Sequence, residues 1–150
     1  MEAITIKKAK LNTKGGADVT YIDSGGNEIQ LRGVKEIHPE LLQAFRNLAP
    51  FLIDLTEQRE AKSIDWETIR DTGSAQLPVA VTGISRVMGE GGEKAQMLGA
   101  RTLASGAAIK LDSPVMDMET LVYDWERYKD FEKRWQQIQR ELVQYVEDSQ

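Results

Sequence analysis

The sequence contains no cysteine and a single histidine, His38. Without cysteine the chain has no disulfide bridge, thiolate nucleophile, iron–sulfur cluster or cysteine zinc site. One histidine cannot build a histidine metal cluster, and any Ser-His-Asp triad would depend on it alone. The serines also lack the glycine context of a nucleophile elbow. We therefore expect a protein without enzymatic activity, bound metal or cofactor.

Long apolar runs are also missing. No segment approaches the ~20 apolar residues that a membrane span requires, and the opening MEAITIKKAK has no apolar core of a signal peptide. The 150 residues are 41% hydrophobic and 29% charged, which is typical of a globular chain. We expect one domain over residues 1–150, soluble and cytoplasmic, and without membrane contact.

Glycine pairs separate short stretches in which apolar and polar residues alternate. Such stretches predict β-strands, and the glycines predict tight turns between them. A first meander is predicted over residues 1–35, with a strand that begins at Ile4 and Ile6 and further strands at 18–23 and 28–31. A second is predicted over residues 77–112, with strands at 79–88, 95–103 and 107–111.

The two meanders share glycine spacing, which suggests an internal repeat. A shift of 76 positions places Gly15 and Gly16 on Gly91 and Gly92, and a shift of 80 places Gly26, Ile29 and Leu31 on Gly106, Ile109 and Leu111. The predicted fold class is α+β: two antiparallel β-meanders, each followed by helix, as a possible βββα duplication that ends in a long C-terminal helix.

Helical spacing follows each meander. In residues 36–60 the apolar positions Leu41, Phe45, Leu48, Leu52 and Leu55 recur at steps of three and four, which predicts one helix face. Pro50 interrupts this region, so a kink or two helices are expected. Residues 61–76 form a polar connector. A final helix of about thirty residues is predicted over 117–148, capped by Asp117 and ~45 Å long.

The final helix carries an aromatic-rich apolar face. Its length suggests a surface for self-association, with a homodimer as the first expectation. The predicted oligomer interface comprises Leu121, Trp125, Tyr128, Phe131, Trp135, Ile138 and Leu142. The same face is expected to contribute core packing beneath the sheet, and the alternative interpretation is a ligand platform formed by Trp125, Tyr128 and Trp135.

The net charge of −5 is unevenly distributed. The two meander regions, residues 1–35 and 76–111, each carry a net +2, whereas residues 36–75 carry −4 and residues 112–150 carry −5. If the helices cover one sheet face, the other face could meet an anion. The predicted ligand-binding residues are Lys7, Lys10, Tyr21, Arg32, Lys35, Arg86, Lys94, Arg101 and Lys110. The alternative is a solvated face whose charges block edge pairing.

Other motifs are weak. The run Gly89-Glu90-Gly91-Gly92-Glu93-Lys94 lacks the Gly-Lys-Ser/Thr ending of a phosphate loop, and its glutamates would repel phosphate, so it is interpreted as a hairpin turn. Asp65, Glu67 and Asp71 lack a calcium-loop pattern and are interpreted as solvated. The acidic total disfavours duplex DNA, and Tyr21 is the single aromatic residue of the predicted strands that could stack a base.

One segment has a resemblance to known proteins. It contains Val81-Thr82-Gly83-Ile84-Ser85, Gly89-Glu90-Gly91, Leu98-Gly99-Ala100-Arg101-Thr102-Leu103-Ala104-Ser105-Gly106 and Leu111-Asp112-Ser113-Pro114. These residues resemble a segment of small uncharacterised proteins encoded by phages and prophages. The resemblance brings no functional residue with it. It implies a viral or mobile-element context, in which small acidic proteins bind single-stranded DNA, sequester host nucleotide signals or block host enzymes.

Two functional hypotheses follow. The first is a binding protein that holds a phosphate-bearing ligand, a nucleotide or a single-stranded nucleic acid, on a basic sheet face or subunit interface. The second is an interaction module or inhibitor that binds a host protein through its acidic helices and aromatic C-terminal helix. A basic cleft would favour the first, and an exposed apolar patch on the last helix would favour the second.

Overall fold

The structure, a computed structural model, describes residues 4–63, 78–89, 92–118 and 130–149. This part of the chain has an α+β fold, as the sequence predicts. In chain order its elements are β1 (Thr5–Leu11), β2 (Ala17–Ile22), β3 (Glu28–Arg32), α1 (Pro39–Arg46), α2 (Ala49–Leu55), a 3₁₀ helix (Arg59–Ser63), β4 (Val79–Gly89), β5 (Gly92–Thr102), β6 (Ala108–Lys110), β7 (Met116–Asp117) and α3 (Phe131–Asp148).

The strands form one antiparallel sheet in the order β3-β2-β1-β4-β5-β6, with β7 also paired to β5. Each predicted meander is therefore one half of the sheet. The halves meet where β1 and β4 pair, from Lys8 opposite Ser85 to Lys10 opposite Gly83. Because β1 and β4 are the first strands of their meanders and run antiparallel, the halves are arranged about an approximate two-fold axis.

Matching irregularities support the predicted repeat. The pairing of β1 with β2 slips between Ile6 and Lys8, and the pairing of β4 with β5 slips 75 positions later, between Val81 and Gly83. Each slip is a β-bulge, in which an extra residue on one strand lets two neighbours leave strict alternation. Glycine turns can resemble each other by chance, whereas a bulge at the same place in both halves is a more specific shared feature.

The turns that follow β2 and β5 also correspond. Gly26 N–H donates to Asp23 O at 3.0 Å, and Gly106 N–H donates to Leu103 O at 2.9 Å. Both glycines have positive φ, 82° and 90°, which glycine adopts without steric cost. They are 80 positions apart, so the shift of 80 holds. The shift of 76 involves Gly91, which lies outside the described residues.

The core lies between one sheet face and the helices. Along the strands its members alternate with exposed residues, and the helices present the apolar positions that their spacing predicts. The buried strand residues include Ile6, Ala9, Ala17, Val19, Tyr21, Val81, Ile84, Ala95 and Met97, and the buried residues of α1, α2 and the turn between them include Leu41, Phe45, Leu48 and Leu52.

The region around Pro50 forms two helices rather than one kinked helix. His38 caps α1 because its Nδ1 accepts a hydrogen bond of 3.2 Å from Leu41 N–H, and Pro39 occupies the first turn, where its missing N–H costs nothing. Pro50 lies in the first turn of α2 for the same reason. The proline thus marks a new helix start rather than a defect inside a helix.

The described C-terminal helix is shorter than predicted. Helix α3 has 18 residues and begins at Phe131, after a turn at Asp130. At 1.5 Å per residue it is about 27 Å long, which is within the size of a compact domain. Residues 119–129 lie outside the described residues, so nothing here bears on Leu121, Trp125 and Tyr128.

The predicted interface face of α3 is core. Its members Phe131, Trp135, Ile138 and Leu142 are at most 1% exposed in the single chain, so they cannot form a surface between subunits. The Phe131 ring stacks on Trp135 with centroids 5.8 Å apart and meets Phe51 edge-on at 5.0 Å. Heptad-like spacing arises whenever one helix face is buried, and here the sheet and α2 bury it.

Tyr145 connects the end of α3 to the first meander. Its hydroxyl donates to Lys35 O at 2.5 Å and accepts from Ala17 N–H at 3.1 Å. A Cβ at Gly33 would lie 2.3 Å from this hydroxyl and 2.2 Å from Ala17 O, and a Cβ at Gly16 would lie 2.7 Å from it. The two glycines leave the space that the tyrosine occupies.

Helix length and hydropathy indicate whether a helix could cross a membrane. Among the described residues no helix combines the length and the apolar character that crossing a bilayer would demand.

Candidate functional site

The sheet face opposite the helices carries a cluster of basic side chains. Lys8 and Lys10 on β1 and Arg32 on β3 are all exposed, and β2 lies between them. Lys10 pairs with Asp18, which pairs with Arg32, while Lys8 pairs with Thr20, which pairs with Gln30. We call the resulting depression the basic groove; it has a volume of about 280 Å³ and is lined by Lys8, Lys10, Asp18, Val19, Thr20, Gln30, Leu31 and Arg32.

The bulge in β1 explains how this cluster forms. Strict alternation from the buried Ile6 would turn Lys8 and Lys10 towards the core. The bulge at Lys7 moves the pattern by one position, so that Ala9 is buried and both lysines face solvent. The local sequence Ile-Lys-Lys-Ala-Lys, with its two small or apolar residues three apart, therefore encodes a basic outer surface.

The three cations of the groove lack an ion-pair partner in the described part of the chain, whereas most other cations on the sheet have one. Within the described ranges no carboxylate lies within salt-bridge distance of Lys8, Lys10 or Arg32. By contrast, Lys7 Nζ lies 2.6 Å from Glu28 Oε1, and Lys110 Nζ lies 3.3 Å from Asp112 Oδ2. The groove thus holds three cations that have no ion-pair partner among the described residues, and such cations can bind an anion.

One carboxylate opposes this charge. Asp18 lies between Lys10 and Arg32 in the register, and its Oδ1 accepts a hydrogen bond of 3.1 Å from Asn12 Nδ2. Asn12 is itself held in place, because its Nδ2 also donates to Gly33 O at 2.8 Å and its Oδ1 accepts from Gly16 N–H at 3.0 Å. Asp18 therefore has a fixed neighbour and reduces the positive potential of the groove.

The second half of the sheet has no equivalent of the groove in its described residues. At the shift that aligns the bulges, Lys8 and Lys10 correspond to Gly83 and Ser85. At the shift that aligns the turns, Arg32 corresponds to Asp112, which pairs with Lys110. The basic groove is thus confined to one half of the sheet.

The nine predicted ligand-binding residues do not form one site. Lys10 and Arg32 line the groove, Lys7 lies beside it in its pair with Glu28, and Lys94 and Lys110 are exposed on β5 and β6. Lys35 lies beside the C-terminal end of α3, where its Nζ donates to Asp148 O at 3.3 Å.

Three of the nine lie on the helix-covered side of the sheet, contrary to the prediction of a shared basic face. Arg86 pairs with Glu93 and donates to Ile6 O at 2.8 Å, and Arg101 donates to Gln58 Oε1 at 3.2 Å. Tyr21 is 4% exposed and belongs to the core, so it offers no ring for a base to stack on. The alternation of buried positions along β2, β4 and β5 turns these side chains inward.

Lys8 is the groove cation that the sequence prediction does not include. Strict alternation from Ile6 would place its side chain with the core. The signal that could have found it is the spacing of Ile6 and Ala9, since buried residues three apart in a strand indicate a bulge.

A second cavity, of about 350 Å³, lies against α3 and is lined by Arg86, Glu93, Met118, Glu132, Trp135, Gln136 and Gln139. The single cation among the described residues of its lining, Arg86, is already paired with Glu93. Glu93 accepts from Arg86 and, at 3.1 Å, from Trp135 Nε1. This cavity has the character of a structural ion pair rather than of a ligand site.

Metal-binding chemistry finds no support in the described part of the chain, where no group of three or more histidine, aspartate and glutamate side chains comes together. The Nδ1 atom of His38 is used by the cap of α1. Asp65, Glu67 and Asp71, and the centre of the loop between β4 and β5, lie outside the described residues.

Comparison of the chain with protein-family models, with curated proteins and with solved structures finds no match.

Proposed function

We propose that this protein is a non-enzymatic binding protein that holds a phosphate-bearing ligand in the basic groove. The observation that carries the proposal is the convergence of Lys8, Lys10 and Arg32 on one groove, without carboxylate partners among the described residues. Their charges converge because of the bulge in β1, and the corresponding bulge in β4 presents Gly83 and Ser85 instead of cations.

The groove offers the chemistry that phosphate recognition uses. The Arg32 guanidinium can donate two parallel hydrogen bonds to phosphate oxygens, and Lys8 and Lys10 act as point charges. The Thr20 hydroxyl and the Gln30 amide add neutral donors at the same surface. The net charge of −5 does not oppose this, because exposed charges farther than about 8 Å are largely screened at physiological salt.

The alternative function, binding of a host protein through an aromatic face of the last helix, has less support. The described aromatic residues of α3 are buried. The large apolar side chains that are exposed in the described residues are Val34, Val87, Leu103, Ile109 and Val115, and none of them belongs to α3. The basic groove is the feature that distinguishes the two hypotheses, and it favours the phosphate ligand.

Origin and location complete the proposal. The resemblance of residues 81–114 to phage and prophage proteins supports a mobile-element origin, and with it a place in the host cytoplasm. In that setting the ligand is a nucleotide or a single-stranded nucleic acid, both of which present phosphates to the same three cations.

The test uses a variant in which Lys8, Lys10 and Arg32 are all replaced by glutamine. Binding of ATP, pyrophosphate and a labelled oligothymidine of about 15 nucleotides is measured by calorimetry and fluorescence anisotropy. We expect the triple variant to bind the best of these ligands at least ~30-fold more weakly, since this factor corresponds to about 2 kcal/mol and the loss of a single charge-assisted hydrogen bond already costs about 1.5–3 kcal/mol.

The matched control is Lys7→Gln combined with Lys110→Gln, which removes two cations that already have partners. We expect it to bind within about twofold of the wild type, because paired surface charges contribute little. Circular dichroism checks that both variants fold. Failure of the wild type to bind any of the ligands, or equal affinity in the triple variant, would refute the proposal.

Replacing Asp18 by asparagine is expected to strengthen binding. The change removes a negative charge between Lys10 and Arg32 but keeps an oxygen that can accept from Asn12. A charge about 4 Å from a phosphate contributes roughly 1 kcal/mol in water, which corresponds to about a fivefold gain in affinity. Asp23→Asn, in the turn after β2, makes the same change in net charge outside the groove and should leave affinity unaltered. Weaker binding by Asp18→Asn would contradict the assignment of the groove.

A further inference from the structure

A fourth unpaired cation extends the positive surface beyond the basic groove. Lys94 on β5 is exposed, and in the described residues no carboxylate lies within salt-bridge distance of it. It pairs in register with Val87, which is two residues from Ser85, and Ser85 is opposite Lys8. Lys94 therefore lies on the same face as the groove, towards the other half of the sheet.

The four cations follow a diagonal. From Arg32 on β3 to Lys94 on β5 the path crosses β2, β1 and β4, which is four strand spacings of about 4.8 Å. Arg32 and Lys10 are at one level, Lys8 is two residues along, and Lys94 is two residues further. Adding this displacement, at about 3.4 Å per residue, makes the diagonal roughly 20–25 Å long.

The surface between Lys8 and Lys94 is free of carboxylates in the described strands. Ser85 on β4 and Gln96 on β5 lie opposite each other there, and the Gln96 amide donates to Ser113 O at 3.0 Å. Asp117, the register partner of Lys94 on β7, lies on the side of β5 away from β4. Asp18 lies between Arg32 and Lys10 at the start of the diagonal; beyond it, an anionic chain meets no further carboxylate of the described strands until Asp117.

We infer that the ligand is a single-stranded nucleic acid whose phosphate backbone crosses the open sheet face from Arg32, past Lys10 and Lys8, to Lys94. This inference rests on the proposed function and narrows it. A free nucleotide would reach one end of the diagonal, whereas a polymer contacts all four cations at once. Because Tyr21 is buried, contacts are to phosphates rather than to stacked bases, and binding is independent of sequence.

The shape of the surface favours one strand over two. A sheet face has no projecting helix or ribbon to enter the groove of a duplex, whereas the backbone of a single strand can lie directly on an open face. Four phosphate contacts predict a salt dependence with a slope of about −2.8 in log affinity against log salt, at −0.7 per contact for single strands.

The experiment measures anisotropy of labelled oligothymidines of about 3, 6 and 12 nucleotides over a salt series, with the full-length protein. We expect affinity to rise with length until the diagonal is covered. Lys94→Gln should reduce the slope by about 0.7 and weaken binding of the 12-mer several-fold, while leaving ATP binding unchanged. Lys110→Gln, an exposed lysine of the same half that is paired with Asp112, is the matched control and should change neither.

The outcomes separate this inference from the proposed function. Equal affinity for all lengths, or a Lys94→Gln variant that binds the 12-mer like the wild type, would overturn the inference that the ligand is a polymer. A loss of ATP affinity in the Lys8, Lys10 and Arg32 variant would in that case still support phosphate binding in the groove. Tighter binding of a duplex of the same length overturns the single strand. If neither ATP, pyrophosphate nor any oligonucleotide binds, the proposed function fails as well.

Discussion

Replacing Trp135 by alanine is expected to lower the free energy of unfolding by about 3–5 kcal/mol, the range for large aromatic residues removed from a core. Trp135 is 1% exposed, stacks on Phe131, and donates from Nε1 to Glu93. The substitution opens a cavity between α3 and the sheet, and it leaves the Arg86–Glu93 pair without one of its hydrogen bonds. Chemical denaturation followed by circular dichroism measures the change.

The same experiment decides between core and subunit interface. Gln136→Ala, at the exposed neighbouring position, is the control and should stay within about 0.5 kcal/mol of the wild type. Mass determination by light scattering should give the same subunit number for all three proteins. A Trp135→Ala variant that kept its stability but lost subunits would show that the aromatic face joins subunits after all.

Gly33→Ala is the second substitution with a large expected effect. A Cβ at this position would meet Ala17 O at 2.2 Å and the Tyr145 hydroxyl at 2.3 Å, so either β2 or the end of α3 must move. Overpacking of this kind costs about 1–3 kcal/mol, and loss of the hydrogen bonds from Ala17 and to Lys35 adds to it. We expect a total of about 3 kcal/mol or more by denaturation.

Gly25→Ala provides the comparison for this prediction. Gly25 lies in the exposed turn after β2, and the nearest atom to a Cβ there is the end of the Asn27 side chain, at 3.2 Å. Its cost should be a few tenths of a kcal/mol. A second comparison combines Gly33→Ala with Tyr145→Phe, and the two costs should not add, because both disturb one contact. Strict additivity would show that the tyrosine does not occupy the space beside Gly33.

The sequence was sufficient to predict the fold because its signals are local. Alternation located the two meanders, helical spacing located α1 and α2, and Pro50 located the break between them. The last helix is predicted over residues 117–148, whereas its described part begins at Phe131, because the turn at Asp130 has no strong sequence marker. Its burial beneath the sheet was predicted only together with self-association, since a helix face shows the same pattern whether it covers a sheet or a partner.

The candidate site was predictable only in part. Charge by segment indicated a basic sheet face, and Lys10 and Arg32 are there. The face of each strand residue depends on where alternation is interrupted, and the bulges at Lys7 and Thr82 are set by pairing between strands rather than by any one residue. For that reason Arg86 and Arg101 were assigned to the wrong side, and Lys8 was missed. Ion pairing, which separates Lys110 from Lys10, is also a property of the folded chain.

The meeting of the two halves at β1 and β4 has a consequence for how the chain folds. The β1–β2 and β4–β5 hairpins are local, but Lys8 and Ser85 are 77 residues apart, and closing a loop of that length costs on the order of 4 kcal/mol in chain entropy. Helix α3 then spans the junction, since Tyr145 bonds to Ala17 in the first half and Trp135 to Glu93 in the second. Because α3 packs on both halves of the sheet, separating the halves would expose the core of each. We therefore expect the two meanders to unfold together in one cooperative transition.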